Sequence, residues 1–154
     1  YGMEQVGLRF FTVYGPWGRP DMAYWTFTRD IIEGRAIRVF NNGQLNRDFT
    51  WIDDIVAGVV ATAFDHPRTA NPPLHRIYNI GNNRPVELGR FIEIVEDAAG
   101  KRAEKIMEPM QPGDVGATYA NIDALARDHG FAPTTTLEEG IPRFVKWYRD
   151  YTRT

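Results

Sequence analysis

The apolar run Val6, Leu8, Phe10, Phe11 and Val13 stops at Gly15-Pro16-Trp17-Gly18-Arg19-Pro20, and a helical pattern begins directly beyond it. That junction constrains the chain more than any other stretch. The run reads as one buried strand, and the glycines and prolines after it read as a stiff, sharply turning loop. Asp21 reads as the cap of a helix from Met22 to Glu33 that Gly34 closes, with Ala23, Phe27 and Ile31 on one face, buried or turned toward a ligand. A strand handed to a helix through such a loop is a unit of α/β architecture, and loops placed this way often meet ligands.

The alternation continues downstream. Ile37 to Phe40 and Phe49 to Ile52 read as two short strands around an Asn42-Gly43 turn, followed by a helix capped by Asp53 or Asp54 that runs to Phe64. Ile55, Val56, Val59, Val60 and Ala63 are its apolar stripe. His66-Pro67 and Pro72-Pro73 mark a loop before a strand at Ile77 to Ile80, closed by Gly81-Asn82-Asn83. Leu88, Phe91, Ile92 and Val95 set a helix from Leu88 to Ala99 with Gly100 as its stop. A strand near Ile106, a loop at Pro109 to Gly116, a small helix over Asp123 to Asp128 and a terminal helix from Leu137 complete the order. The terminal helix carries Ile141, Phe144, Val145 and Tyr148, and Pro142 is expected to kink it by removing a backbone bond.

The 154 residues suit about one domain, and 18 Lys and Arg against 20 Asp and Glu leave a net charge of −2. That balance gives no general attraction to nucleic acid or to an anionic membrane, so any anion site must be local. The absence of cysteine removes disulfides, thiolate metal sites and cysteine nucleophiles. The apolar runs are too short to span a bilayer. His66, His75 and His129 lack metal-ligand spacing and are expected to take surface roles. The chain opens at Tyr1 without an initiator Met and enters a strand within a few residues, from which the natural start is expected to lie upstream.

Two catalytic signatures are missing. No glycine-rich turn of the dinucleotide-binding kind appears, since Gly15 with Gly18 and Gly113 with Gly116 have only half the spacing. No tyrosine has a lysine four residues later, the arrangement that would lower a phenol's pKa for proton transfer. The most informative stretch is Arg47-Asp48-Phe49-Thr50-Trp51-Ile52-Asp53-Asp54. An arginine at a strand start offers a planar fork to phosphate or carboxylate; a surface pair of Arg47 with Asp48 explains the same residues. Thr12 with Arg19, at the end of the first strand, is a second candidate for a carboxylate. Phe27 suits a flat base or the core. Gln111-Pro112-Gly113-Asp114 is a turn that offers polar side chains.

Four ordered blocks together resemble the C-terminal portion of extended short-chain dehydrogenase/reductases acting on nucleotide sugars, the NAD-dependent epimerase/dehydratase family, and within it the UDP-glucuronate 4-epimerases. They are Leu8 to Ala23, Arg47-Asp48-Phe49-Thr50 with Asp53-Asp54, Tyr78-Asn79-Ile80-Gly81, and Met110-Gln111-Pro112-Gly113-Asp114-Val115 with Thr118. The resemblance covers essentially the whole chain, residues 1–154, as a substrate-binding portion that includes the last parallel-sheet strands of a Rossmann-type α/β fold. It implies that the N-terminal dinucleotide-binding half, with the glycine-rich turn, the active-site Ser/Thr and the Tyr-x-x-x-Lys pair, lies before the first strand. This sequence would then hold no catalytic residue.

By the same resemblance Arg47 meets the UDP diphosphate, Phe27 helps enclose the uracil, and Tyr14 to Pro16 pass the nicotinamide of NAD. Thr12, where many hexose epimerases carry Asn, would face the C5 carboxylate together with Arg19. Relatives often place Arg where this chain has Gln111, beside Asp114, which leaves Arg47 to carry more of the diphosphate. The implied partner is a small-molecule UDP-sugar, with no nucleic acid, membrane or metal. A cytoplasmic homodimer serving polysaccharide biosynthesis is implied as well, and an exposed first strand invites strand swapping. A UDP-glucuronate decarboxylase, a related dehydratase and a non-catalytic nucleotide-binding or interaction module are the alternatives.

Overall fold

The computed structural model describes residues 2–65 and 74–154. The first apolar run does not form one strand. It divides at Phe11 into β1 (Gln5–Phe10) and β2 (Thr12–Tyr14), because its halves join different sheets. β1 needs β5 (His75–Ile80) as its parallel partner, Gln5 opposite His75 and Phe10 opposite Ile80. The Phe11 N–H still reaches the Ile80 carbonyl at 3.1 Å. β2 then runs parallel to β4 (Asn46–Trp51), with Thr12 opposite Phe49 and Tyr14 opposite Trp51. Nor is the run buried throughout: Val6 is 37% and Phe10 52% exposed, since β1 has β5 as its only strand partner among the described residues.

α1 (Ala23–Glu33) ends as its sequence dictates, with Gly34 at φ 74° in the left-handed conformation that lets its N–H cap the last turn. Its start differs from expectation. Met22 is the N-cap and makes no side-chain cap bond, because Asp21 is held by Arg19 instead. β3 (Ile37–Phe40) and β4 do not pair around the Asn-Gly turn. Asn41, Asn42 and Gly43 take φ of 48°, 51° and 80° in succession, and a left-handed turn of that length sends the two strands apart. β3 pairs instead with β7 (Lys105–Glu108), in parallel.

β4 is the central element. Its first residues are flanked by β6 (Pro85–Glu87), antiparallel, and β8 (Ala117–Thr118), parallel, so that Arg47 faces Val86 on one side and Thr118 on the other. Neither short strand is foreseeable from periodicity, because three and two residues are too few to show a period.

α2 (Ile52–Phe64) starts behind Trp51 without a side-chain cap. Asp53 accepts from the Trp51 indole at 2.9 Å and Asp54 from the Thr135 N–H at 3.0 Å, so neither closes the helix start. Its apolar stripe is split as well: Ile55 is buried, whereas Val56 and Val60 are 50% and 48% exposed. The loop residues His66-Pro67 and Pro72-Pro73 lie outside the described residues.

α3 (Leu88–Ala99) has the expected bounds and the expected Gly100 stop. It buries Phe91, Ile92 and Val95 against α1 and against α5 (Leu137–Thr152). α5 opens with a capping box in which Thr136 and Glu139 satisfy each other's backbone N–H. It runs as one element through Pro142, where the expectation was a kink. Tyr14, Tyr24, Phe49, Phe91, Phe144 and Tyr148 centre this larger core, with the Phe49 and Phe91 rings stacked at 4.4 Å. A second core forms where Ile55, Tyr78 and Ile80 meet Leu125 of α4 (Asp123–His129) and Phe131. His129, expected on the surface, is 6% exposed there, packed edge-on to Tyr78 at 5.3 Å.

A buried carboxylate joins α3 to β7. Glu96 accepts from the Ala103 N–H at 3.0 Å, from Lys105 at 2.9 Å and from Arg102 at 3.1 Å. Burial alone would push its carboxyl up, but Lys105, the Ala103 N–H and Arg102 together hold it below the ordinary value. A carboxyl whose folded value is depressed stabilises the fold above its unfolded value, and that contribution disappears as pH falls through the folded one. Glu96→Gln is therefore expected to lower the melting temperature at neutral pH. The gap to the parent should close as pH falls through the carboxylate range, and a gap constant with pH would contradict the assignment.

Candidate functional site

Two cavities open side by side where β2, the loop behind it, α1 and β4 meet. The first cleft, about 340 Å³, is lined by Thr12, Asp21, Phe27, Arg38, Phe40, Arg47, Phe49, Leu88 and Asp114 among others. That volume lies within the range of small-molecule sites, about 300–1,000 Å³. The second, about 360 Å³, is bounded by Phe10, Phe11, Val13, Tyr14, Gly15, Pro16, Gly18 and Arg19, and shares Met22 with the first.

Arg47 is aimed by its surroundings. Strands on both sides fix its backbone, its guanidinium donates to the Asn46 and Val115 carbonyls at 2.9 and 2.8 Å, and it meets Asp114 at 2.6 Å. Its side chain is 19% exposed and lines the cleft. Asp114 reaches it through a tight turn. Pro112 presets the backbone, Gly113 takes φ of 83°, and the Asp114 N–H closes on the Gln111 carbonyl at 3.1 Å, a turn that needs glycine at its third position.

The surface pair of Arg47 with Asp48 does not form. Asp48 points to the opposite face, fully buried, and accepts backbone N–H groups of Asn82, Asn83 and Ala120 at 2.9, 3.0 and 2.8 Å. It pins β4 to the turn after β5 and to the entry of α4. Sequence reasoning missed this role, although alternation along β4 does place Arg47 and Asp48 on opposite faces.

Thr12, Phe27, Arg47 and Asp114 thus share one cleft. Phe27 is half-buried, with its ring 6.3 Å from Phe91. Arg19 is not beside Thr12: it lines the second cavity, is largely exposed, and pairs with Asp21 at 2.5 Å. Gln111 is exposed and lines neither cavity. Pro16 faces the second cavity, but the Tyr14 ring is a core element whose hydroxyl donates to the Thr136 carbonyl at 3.2 Å. Burial, reinforced by Asp54 and Glu138, pushes the Tyr14 phenol well above its ordinary value, which removes it as a proton-transfer group at neutral pH.

Arg38 and Phe40 are among the lining residues that were not foreseen. Both alternate with the buried Ile37 and Val39, and the period of two puts them together on the cleft face. Arg38 grips Glu108 of β7 through both oxygens at 2.5 and 2.8 Å, holding that carboxyl below its ordinary range, and lies 5.7 Å from the Phe40 ring centre. The cleft therefore presents two guanidiniums, each already oriented by a carboxylate. Among the described residues no cluster of His, Asp and Glu could hold a metal ion, and no helix is long and apolar enough to cross a membrane.

An α/β scaffold with an arginine-lined cleft beside a strand-to-helix loop agrees with the family that the chain matches, the NAD dependent epimerase/dehydratase family, over residues 1–81. The chain belongs to that family. Its relatives narrow the comparison. UDP-glucuronate 4-epimerase 6 of Arabidopsis thaliana is 45% identical over 163 residues, covering 98% of this chain and 35% of its own length. Protein CapI of Staphylococcus aureus is 46% identical over 98% of this chain and 49% of its own. The UDP-glucuronic acid 4-epimerase of Bacillus cereus, solved with UDP-glucuronic acid and NAD, superposes with a TM-score of 0.83 at 31% identity, over 94% of this chain and 45% of that one. The chain spans about half the length, or less, of the relatives it matches.

Proposed function

We propose that this chain is the substrate-binding portion of an NAD-dependent nucleotide-sugar epimerase that interconverts UDP-glucuronate and UDP-galacturonate. The observation that carries the reading is the single cleft shared by Thr12, Phe27, Arg47 and Asp114. Arg47 presents its fork to the diphosphate and Asp114 keeps the fork aimed. Phe27 lies beside the uracil, an aromatic face against a flat base. Thr12 offers a hydroxyl to the sugar carboxylate. Arg19 reaches the same carboxylate from the neighbouring cavity by exchanging Asp21 for it, which its exposure permits.

NAD supplies a reversible hydride acceptor for C4 of the sugar. The second cavity suits only its nicotinamide edge, since its walls are largely apolar and Arg19 is the one cation on them among the described residues. The residues of this chain anchor the UDP strongly and the sugar weakly. That division suits an epimerase, whose sugar must turn over between the two hydride transfers while the nucleotide stays in place. The homodimer and the cytoplasmic setting are part of the same reading; the outer edge of β1, which has no strand partner among the described residues, is where the upstream half of the sheet would continue, and in the isolated chain it is open to strand swapping.

The chain by itself is expected to bind UDP and UDP-glucuronate weakly and to turn neither over, because its sequence carries no Tyr-x-x-x-Lys pair. A thermal-shift series with UDP, UDP-glucuronate and RNA, with product analysis in the presence of NAD, tests this. Stabilisation by the two nucleotides without a new sugar supports the proposal. Stabilisation by RNA alone, interconversion by the isolated chain, or release of carbon dioxide by the whole enzyme overturns it.

A further inference from the structure

The loop behind β2 is fixed more tightly than a connection requires. A Cβ at Gly15 would collide with the Ile52 side chain, and one at Gly18 with the Tyr24 hydroxyl, so the backbone is pressed against its neighbours at both points. Between them Trp17 takes φ of 62°, a left-handed conformation that is an outlier for a bulky side chain. Such residues persist only where the surroundings over-determine them, and they cluster at functional sites.

What holds Trp17 is α5. The indole is 76% exposed, yet its edge meets Trp147 at 5.2 Å and Tyr151 at 5.4 Å, and those two rings stack on each other at 5.0 Å and 11°. Trp25 completes the cluster, 5.6 Å from Trp147. The core gains little from an indole so exposed. The clamp therefore serves the loop, which walls the second cavity and ends at Arg19.

We propose that Trp17 is a positioning residue. Its aromatic clasp on α5 holds the loop so that the Arg19 guanidinium stays at the cavity rim, and through Arg19 it sets the preference for a carboxylated sugar. The specificity role rests on the functional reading above; the clamp itself does not. Rim charges act best when held in place, since each side chain immobilised on binding costs entropy.

Hydrogen exchange and ligand titration on the chain carrying Trp17→Ala and Trp17→Phe test the two parts. Exchange at residues 15–22 is expected to quicken about tenfold in Trp17→Ala, with α1 and α3 unchanged and Trp17→Phe close to the parent. The parent should prefer UDP-glucuronate over UDP-glucose by about tenfold. Trp17→Ala should lose most of that preference while keeping its affinity for UDP, and Trp17→Phe should restore it. Unchanged exchange in Trp17→Ala overturns the clamp. A parental preference that Trp17→Ala keeps in full overturns the specificity role alone. A parent that binds UDP without any preference overturns the specificity role together with the choice of a sugar acid as substrate.

Discussion

Arg47→Ala is expected to weaken UDP-glucuronate binding by about 2–4 kcal/mol, the range for losing a charged, largely desolvated hydrogen-bond partner. In affinity that is between about 30- and 700-fold. Two effects act together. The fork itself is lost, and Asp114, which meets it at 2.6 Å, is left as an unneutralised carboxylate on the wall of a cleft meant for an anion. Arg47→Lys should recover only part of the loss, because an ammonium cannot satisfy Asp114 and the Asn46 and Val115 carbonyls from one plane. Calorimetric titration of UDP and UDP-glucuronate measures it. Affinity equal to the parent's in Arg47→Ala would remove this residue from the site and leave the cleft without its principal anion contact.

Asp48→Ala is expected to cost about 3–5 kcal/mol of stability, because three backbone N–H groups around a fully buried position lose their only acceptor. For a chain of this size that is a fall in melting temperature of roughly 10 °C. Asp48→Asn should fall between the two. One oxygen in place of Oδ2 can still take the Asn83 and Ala120 N–H groups, but the amide nitrogen would then face the Asn82 N–H, donor against donor. UDP affinity should fall with stability, since the backbone that Asp48 pins is the one that carries Arg47 and Phe49. A melting temperature unchanged in Asp48→Ala would contradict the buried-acceptor role.

Much of the fold was legible because some signals are local. The 3.6-residue spacing of Leu88, Phe91, Ile92 and Val95 and the glycine stops at Gly34 and Gly100 depend on neighbours within one or two turns, and α3 and the end of α1 follow them. Signals that need a distant partner misled. Asp21, Asp53 and Asp54 are good helix caps in isolation, and each is taken by a nearer or better donor: Arg19, the Trp51 indole and the Thr135 N–H. The apolar stripe of α2 could not announce that only Ile55 and its neighbours would find cover. The two-residue β8 could not announce itself at all.

For the site, residue chemistry alone marked Arg47 and the pairing of Thr12 with Arg19, because a planar cation and a hydroxyl carry their chemistry wherever they stand, whereas Phe27 and Asp114 entered as site residues only through the family resemblance. Which of them meet was a matter of register. Arg47 and Asp114 are 67 residues apart and touch only because β8 docks on β4. Thr12 and Arg19 are close in the chain yet line separate cavities, because the loop between them turns away and Asp21 captures the guanidinium. The sequence by itself determined the helices, their stops and the kinds of group on offer, since those depend on bond geometry and nearest neighbours. Tertiary structure alone decided the shared cleft, the burial of Asp48 and the clasp on Trp17, because hydrogen bonds and ring contacts across long loops exist only once distant strands and helices have come into register.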